Sequence, residues 1–103
     1  MRTLEITRHA RQRLQQRGAR IEALAIVMAY GDIDVPARHD CRFLRLSHQA
    51  AAALLREGTF PVQEVDRARR LMVLADSANR VVTVLKCDPQ MRFAATKRAA
   101  RRR

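Results

Sequence analysis

Apolar residues recur along this chain with two periods, and the changes from one to the other divide it into elements. Leu4 and Ile6 alternate with polar or charged neighbours, the period of a short first strand. Thr7 then stands where an N-cap belongs, and Ile6, Ala10 and Leu14 recur at i, i+4 and i+8. That spacing predicts a helix with one narrow apolar stripe. Gly18 falls where a left-handed residue would stop it. A second helix is predicted from about Ile21 to Tyr30, ended in the same way by Gly31. Its run Leu24, Ala25, Ile26, Val27 and Met28 leaves few polar positions, so it should be largely buried.

Ile33 to Val35 reads as a strand stopped by Pro36, ARHD as a turn, and CRFLRLS as the next strand. Ser47 can cap the helix HQAAAALLRE, which Gly58 would terminate. Pro61 suits a first helical turn, and VQEVDRAR fits one or two turns after it. LMVLAD and RVVTVLKC are apolar, β-branched-rich runs joined by Ser77, Ala78 and Asn79, a hairpin whose strands should be buried on both faces. Beyond Pro89, MRFAATKRAARRR reads as a frayed helix or a basic arm. The order is strand, two helices, two strands, two helices, two strands. It predicts an α+β domain over residues 1–88, N-terminal helices packed on a small antiparallel sheet, followed by a basic tail over residues 89–103.

Charge adds what the periods do not carry. The 103 residues hold 21 Lys and Arg against 10 Asp and Glu, a net charge of +11. Arg8, Arg11, Arg13, Arg17 and Arg20 lie in a stretch without a single acid, and so do Lys97, Arg98, Arg101, Arg102 and Arg103. The other cations are nearly balanced by the acids, so the basicity is two patches, and two patches imply a polyanionic partner. Arginine dominating lysine is a compositional bias, but a bias does not explain why both segments lack acids. Apolar runs are too short to cross a bilayer and no signal-like stretch opens the chain, which gives a cytoplasmic expectation with no membrane partner. Cys41 and Cys87 form no CxxC, so reduced thiols are expected and neither a metal nor a cofactor.

The residues best placed for chemistry are His9, Arg13 and Arg17, at i, i+4 and i+8 on one helix face. Arginine forks in such a row can hold successive phosphates, and a histidine in the first turn can move a proton near neutral pH. Cleavage of RNA by its 2′-hydroxyl needs a base, an acid and a cation, which His9, His39 and the arginine row could in principle supply. The alternative is structural: His9 bonds the fold and locks the helix to the sheet, while Arg13 and Arg17 bridge Asp32 or Asp34. No glycine-rich phosphate loop, carboxylate pair or Ser-His-Asp spacing is present. With only Tyr30, Phe43, Phe60 and Phe93, a stacking platform for bases is not expected.

The pattern ITRHAxxRxxQRG, a buried second helix ending in YG and a closing VVTV strand resemble a family of unknown function. Its small bacterial members begin with a His-Ala-x-x-Arg-x-x-x-Arg-Gly helix, and it is similar to RelE-like and BrnT-like toxins of the barnase–colicin–RelE ribonuclease fold. The resemblance spans about residues 4–87, with the specific positions in 6–18 and 81–85. It implies a RelE-like fold with a helical insertion from Ser47 to about Arg70. It also implies a metal-independent endoribonuclease toxin acting on RNA rather than DNA and neutralised by an acidic antitoxin. His9, Arg13 and Arg17 would be catalytic. Arg8, Arg11, Arg20, Lys86, Arg92, Lys97, Arg98, Arg101, Arg102 and Arg103 would bind nucleic acid. LKCDPQMRF departs from the family by lacking histidine after the last strand, though it keeps Lys86 and Arg92. Two other readings share the same charge: a non-catalytic nucleic-acid-binding protein, and a module that docks an acidic protein.

Overall fold

A computed structural model describes residues 4–87. The predicted basic arm, with Arg92, Lys97, Arg98, Arg101, Arg102 and Arg103, lies outside the described residues. The helices are α1 (Arg8–Gln16), α2 (Ile21–Tyr30), α3 (His48–Glu57) and α4 (Val62–Arg69). The strands are β1 (Ile33–Pro36), β2 (Arg42–Arg45), β3 (Leu71–Ala75) and β4 (Val81–Lys86). They form one antiparallel sheet in the order β1-β2-β3-β4, with α3 and α4 inserted between the two central strands. The fold is therefore α+β.

Local chemistry sets the boundaries. Thr7 Oγ1 accepts from the Ala10 N–H at 3.2 Å and starts α1, and Ser47 Oγ accepts from the Ala50 N–H at 3.0 Å and starts α3. Gly18 (φ 61°) and Gly58 (φ 69°) take the left-handed backbone after α1 and α3. Gly31 does not: its φ is −61°. A β-carbon there would meet the Val27 carbonyl oxygen at 2.5 Å, so glycine is needed for close approach and not for handedness. Pro61 is the residue before α4, not its first turn.

Two expectations about strands change. The first strand shrinks to a single parallel bridge between Ile6 and Val81, because the cap at Thr7 turns the chain into α1 before a second pair can form. The hairpin strands are buried on one face only. Leu71, Val73, Ala75, Val81 and Val84 enter the core, while Met72, Leu74, Thr83 and Leu85 are half-buried on the other side. The reason is that the described helices share the inward face. There α2 contributes Ala23, Leu24, Ile26 and Val27, and α4 contributes Val65 and Ala68. Among the described residues no helix is long and apolar enough to cross a membrane.

Candidate nucleic-acid interface

The basic stretch at the N-terminus becomes α1, held at one edge of the sheet. Thr7 fixes its start with three bonds: its N–H donates to Val81 O at 2.9 Å, its hydroxyl donates to Val82 O at 3.0 Å, and the same oxygen caps Ala10. Below that anchor the helix packs chiefly on β4, through fully buried Ala10 and nearly buried Leu14. Two small apolar contacts cover little of the circumference, so most of α1 is left to solvent.

The side chains around that free surface fall into an order set by the 3.6-residue turn. His9, Gln12, Arg13 and Gln16, at i, i+3, i+4 and i+7, line a shallow polar depression. His9, Gln12 and Gln16 are exposed. Arg13 and Arg17 are half-buried on one flank, next to the apolar stripe. Arg8 and Arg11 are exposed as well, Arg8 one turn before Gln12 in the same outward row and Arg11 on the other flank. Arg17 is the residue after the last helical one, and its Nε is buried without a hydrogen-bond partner among the described residues.

The electrostatics follow from where the acids went. Asp32 accepts two bonds from Ser47, and Asp34 pairs with Arg42 at 3.4 Å. Glu64, Asp66 and Asp76 pair with Arg67, Arg70 and Arg80. None of these partners belongs to α1. The bridges from Arg13 and Arg17 to Asp32 or Asp34 therefore do not form. Among the described residues, the side chains of Arg8, His9, Arg11, Arg13, Arg17 and Arg20 make no hydrogen bond or ion pair. His9 does not lock α1 to the sheet.

Arg20 is exposed just before α2, three residues beyond Arg17. Other predicted residues lie apart from this surface. Lys86 is exposed at the far end of β4, about 17 Å along the strand from the Val81 that anchors Thr7. His39 sits in the β1–β2 turn with φ 60°, beside Asp40 at 59°. Its strands are two to three spacings of about 4.8 Å from β4, so the sheet keeps the two histidines apart. The sequence reading missed Gln12 and Gln16, although their spacing from His9 was visible in it. Among the described residues no group of three His, Cys, Asp or Glu is placed to hold a metal ion. Cys41 and Cys87 form no disulfide, and each thiol donates weakly to a backbone oxygen.

Comparison with protein-family models, curated proteins and solved structures finds no match for this chain.

Proposed function

We propose that the protein binds the sugar–phosphate backbone of nucleic acid through α1. The observation that carries this reading is the set of arginines along and just after α1, Arg8, Arg11, Arg13, Arg17 and Arg20, none of them ion-paired with an acid within the described fold. Exposed cations that are already paired add little to a polyanion's attraction, whereas unpaired ones release condensed counterions when phosphates replace water around them. Arginine's planar fork also suits phosphate oxygens better than a lysine point charge. The test is fluorescence anisotropy of labelled RNA and DNA, single- and double-stranded, titrated with the full chain across salt concentrations. Affinity that falls steeply with salt, and more gently after Arg11→Ala, supports the reading. Binding indifferent to salt overturns it.

A second reading, the RelE-like endoribonuclease toxin, is favoured by one specific observation: His9 faces solvent beside Arg13 in the same depression, with no partner to occupy it. In that reaction the 2′-hydroxyl attacks the adjacent phosphorus and the 5′ oxygen leaves with a proton. His9 would move one of the two protons, and Arg13 would face the charge on phosphorus. Total RNA incubated with the protein in chelator tests it, with His9→Ala alongside. RNA left intact by the wild type removes the enzyme reading and leaves the binding one standing.

A further inference from the structure

The sheet has a second face, opposite the described helices. Its register places the outward side chains in two rows across the four strands. Ile33, Arg45, Met72 and Leu85 form one row, and Val35, Phe43, Leu74 and Thr83 form the other. All but Arg45 and Thr83 are apolar, and each of those apolar side chains is half-buried. Arg45 is 6% exposed, the one buried charged side chain among the described residues. An arginine on an open sheet face lays its stem on apolar neighbours and keeps its head group in water. Burial this deep points to a cover. The described helices do not supply it, since their buried side chains pack on the other face with Val73, Ala75, Val81 and Val84.

We propose that the chain's own residues 88–95 cover this face. They lie outside the described residues, and the assignment comes from where they start and what they carry. Leu85, in the row of Arg45, comes two residues before Cys87, whose N–H donates to Arg70 O at 2.8 Å. The chain therefore leaves the sheet beside that row. Phe93 follows six residues later, a reach of up to about 20 Å. The four strands are only about 14 Å across. Met91, Phe93, Ala94 and Ala95 supply apolar surface, and Asp88 balances Arg92, so no net charge is added beside Arg45. The run from Lys97 to Arg103 begins only after this stretch.

A second copy is the weaker occupant. The face measures about 14 Å across its strands and about 7 Å between its rows, far short of the roughly 800 Å² that each partner buries in a stable interface. A tethered segment needs no such area, because a short linker holds it at a millimolar effective concentration. The cover goes beyond the nucleic-acid reading and does not depend on it.

The experiment is methyl–aromatic nuclear Overhauser spectroscopy on the isotopically labelled full chain, alone and mixed with unlabelled chain. The expected result is cross-peaks, within one copy, from the Phe93 ring to the methyls of Met72, Leu74 and Leu85. In full-length Phe93→Ser those methyl signals should shift while the Leu14 methyls, on the other side of the sheet, stay in place. Cross-peaks found only between labelled and unlabelled copies give the face to a second copy and overturn the proposal. Absence of any contact from Phe93 in the wild type overturns it too. A soluble paramagnetic agent then tells an open face, left for an outside partner, from one covered by another part of the chain.

Discussion

Asp32 and Ser47 are joined by two hydrogen bonds, Oδ2 accepting the serine hydroxyl at 2.6 Å and Oδ1 accepting its N–H at 2.9 Å. The pair ties the entry of β1 to the start of α3. It also occupies an acid that could otherwise have neutralised α1. The same serine oxygen accepts from Ala50. Ser47→Ala should therefore cost about 1 kcal/mol as a lost cap. For a domain of this size that lowers the Tm by about 4–8 °C in a thermal melt. Nucleic-acid affinity should not change, since neither residue touches the free face of α1.

His9 distinguishes a structural residue from an outward-looking one. It is exposed and makes no bond to the described fold, so His9→Ala should move stability by no more than about 0.5 kcal/mol. Leu14, beneath the same helix, is 5% exposed and belongs to the core. Leu14→Ala should cost about 2–5 kcal/mol. Urea titration of the two variants checks the contrast. A His9→Ala loss approaching that of Leu14→Ala would mean that the histidine holds the fold.

Helix limits were legible because their signals are local: a serine or threonine oxygen, a glycine with φ above zero, a stripe at period 3.6. Thr7, Ser47, Gly18 and Gly58 act as their sequence positions suggest. Gly31 misled because a glycine at a helix end looks the same whether it supplies handedness or room. The hairpin misled because an apolar run does not reveal how many helical layers cover it. Met72, Leu74 and Leu85 are apolar yet sit on the face opposite the described helices. The site was half legible. His9 and Arg13 stood out by charge, but the fate of the acids depended on tertiary partners, and Gln12 and Gln16, though at helical spacing from His9, carry no charge to mark them.

Asp76 organises the β3–β4 turn. The Arg80 N–H holds its carboxyl below the usual carboxylate range, against a smaller opposing effect of desolvation. The Arg80 guanidinium and the Ala78 N–H add to the lowering. A carboxylate whose folded pKa is depressed stabilises the fold above its unfolded value, and that contribution is lost as pH falls through the folded value. The urea midpoints of wild type and Asp76→Ala should thus differ by a constant amount from pH 7 to about 4. The gap should close progressively below that. A gap that widened in acid would contradict the assignment.

The two kinds of glycine predict opposite responses to asparagine. Gly58 has open space around a β-carbon and a left-handed backbone, so Gly58→Ala should cost about 1–2 kcal/mol and Gly58→Asn less. At Gly31 any β-carbon meets the Val27 oxygen, to which its own N–H donates at 2.8 Å. Gly31→Ala and Gly31→Asn should both cost about 1–3 kcal/mol, with no relief from asparagine. Denaturant midpoints of the four variants decide it.

Salt dependence separates an arginine that meets a phosphate from one that merely raises the net charge. Each phosphate neutralised on B-form DNA contributes about −0.9 to the slope of log K against log salt. Five engaged arginines, Arg8, Arg11, Arg13, Arg17 and Arg20, would give a slope of about −4.5 from the N-terminal patch alone. Removing residues 97–103 takes away Lys97, Arg98, Arg101, Arg102 and Arg103, a second set of five cations. If both patches lie on the nucleic acid, that truncation and the quintuple alanine variant should each remove a comparable share of the slope. If α1 alone makes the contacts, truncation should leave the slope unchanged and weaken binding only through the smaller overall field, an effect confined to low salt because the Debye length shortens to about 8 Å near physiological ionic strength. The within-patch pattern is sharper still. Arg13 and Arg17 are already half-buried along the helix flank, so they should give up less freedom on binding than exposed Arg8 and Arg11. Arg13→Ala should then cost more affinity than Arg8→Ala while changing the slope by the same single contact.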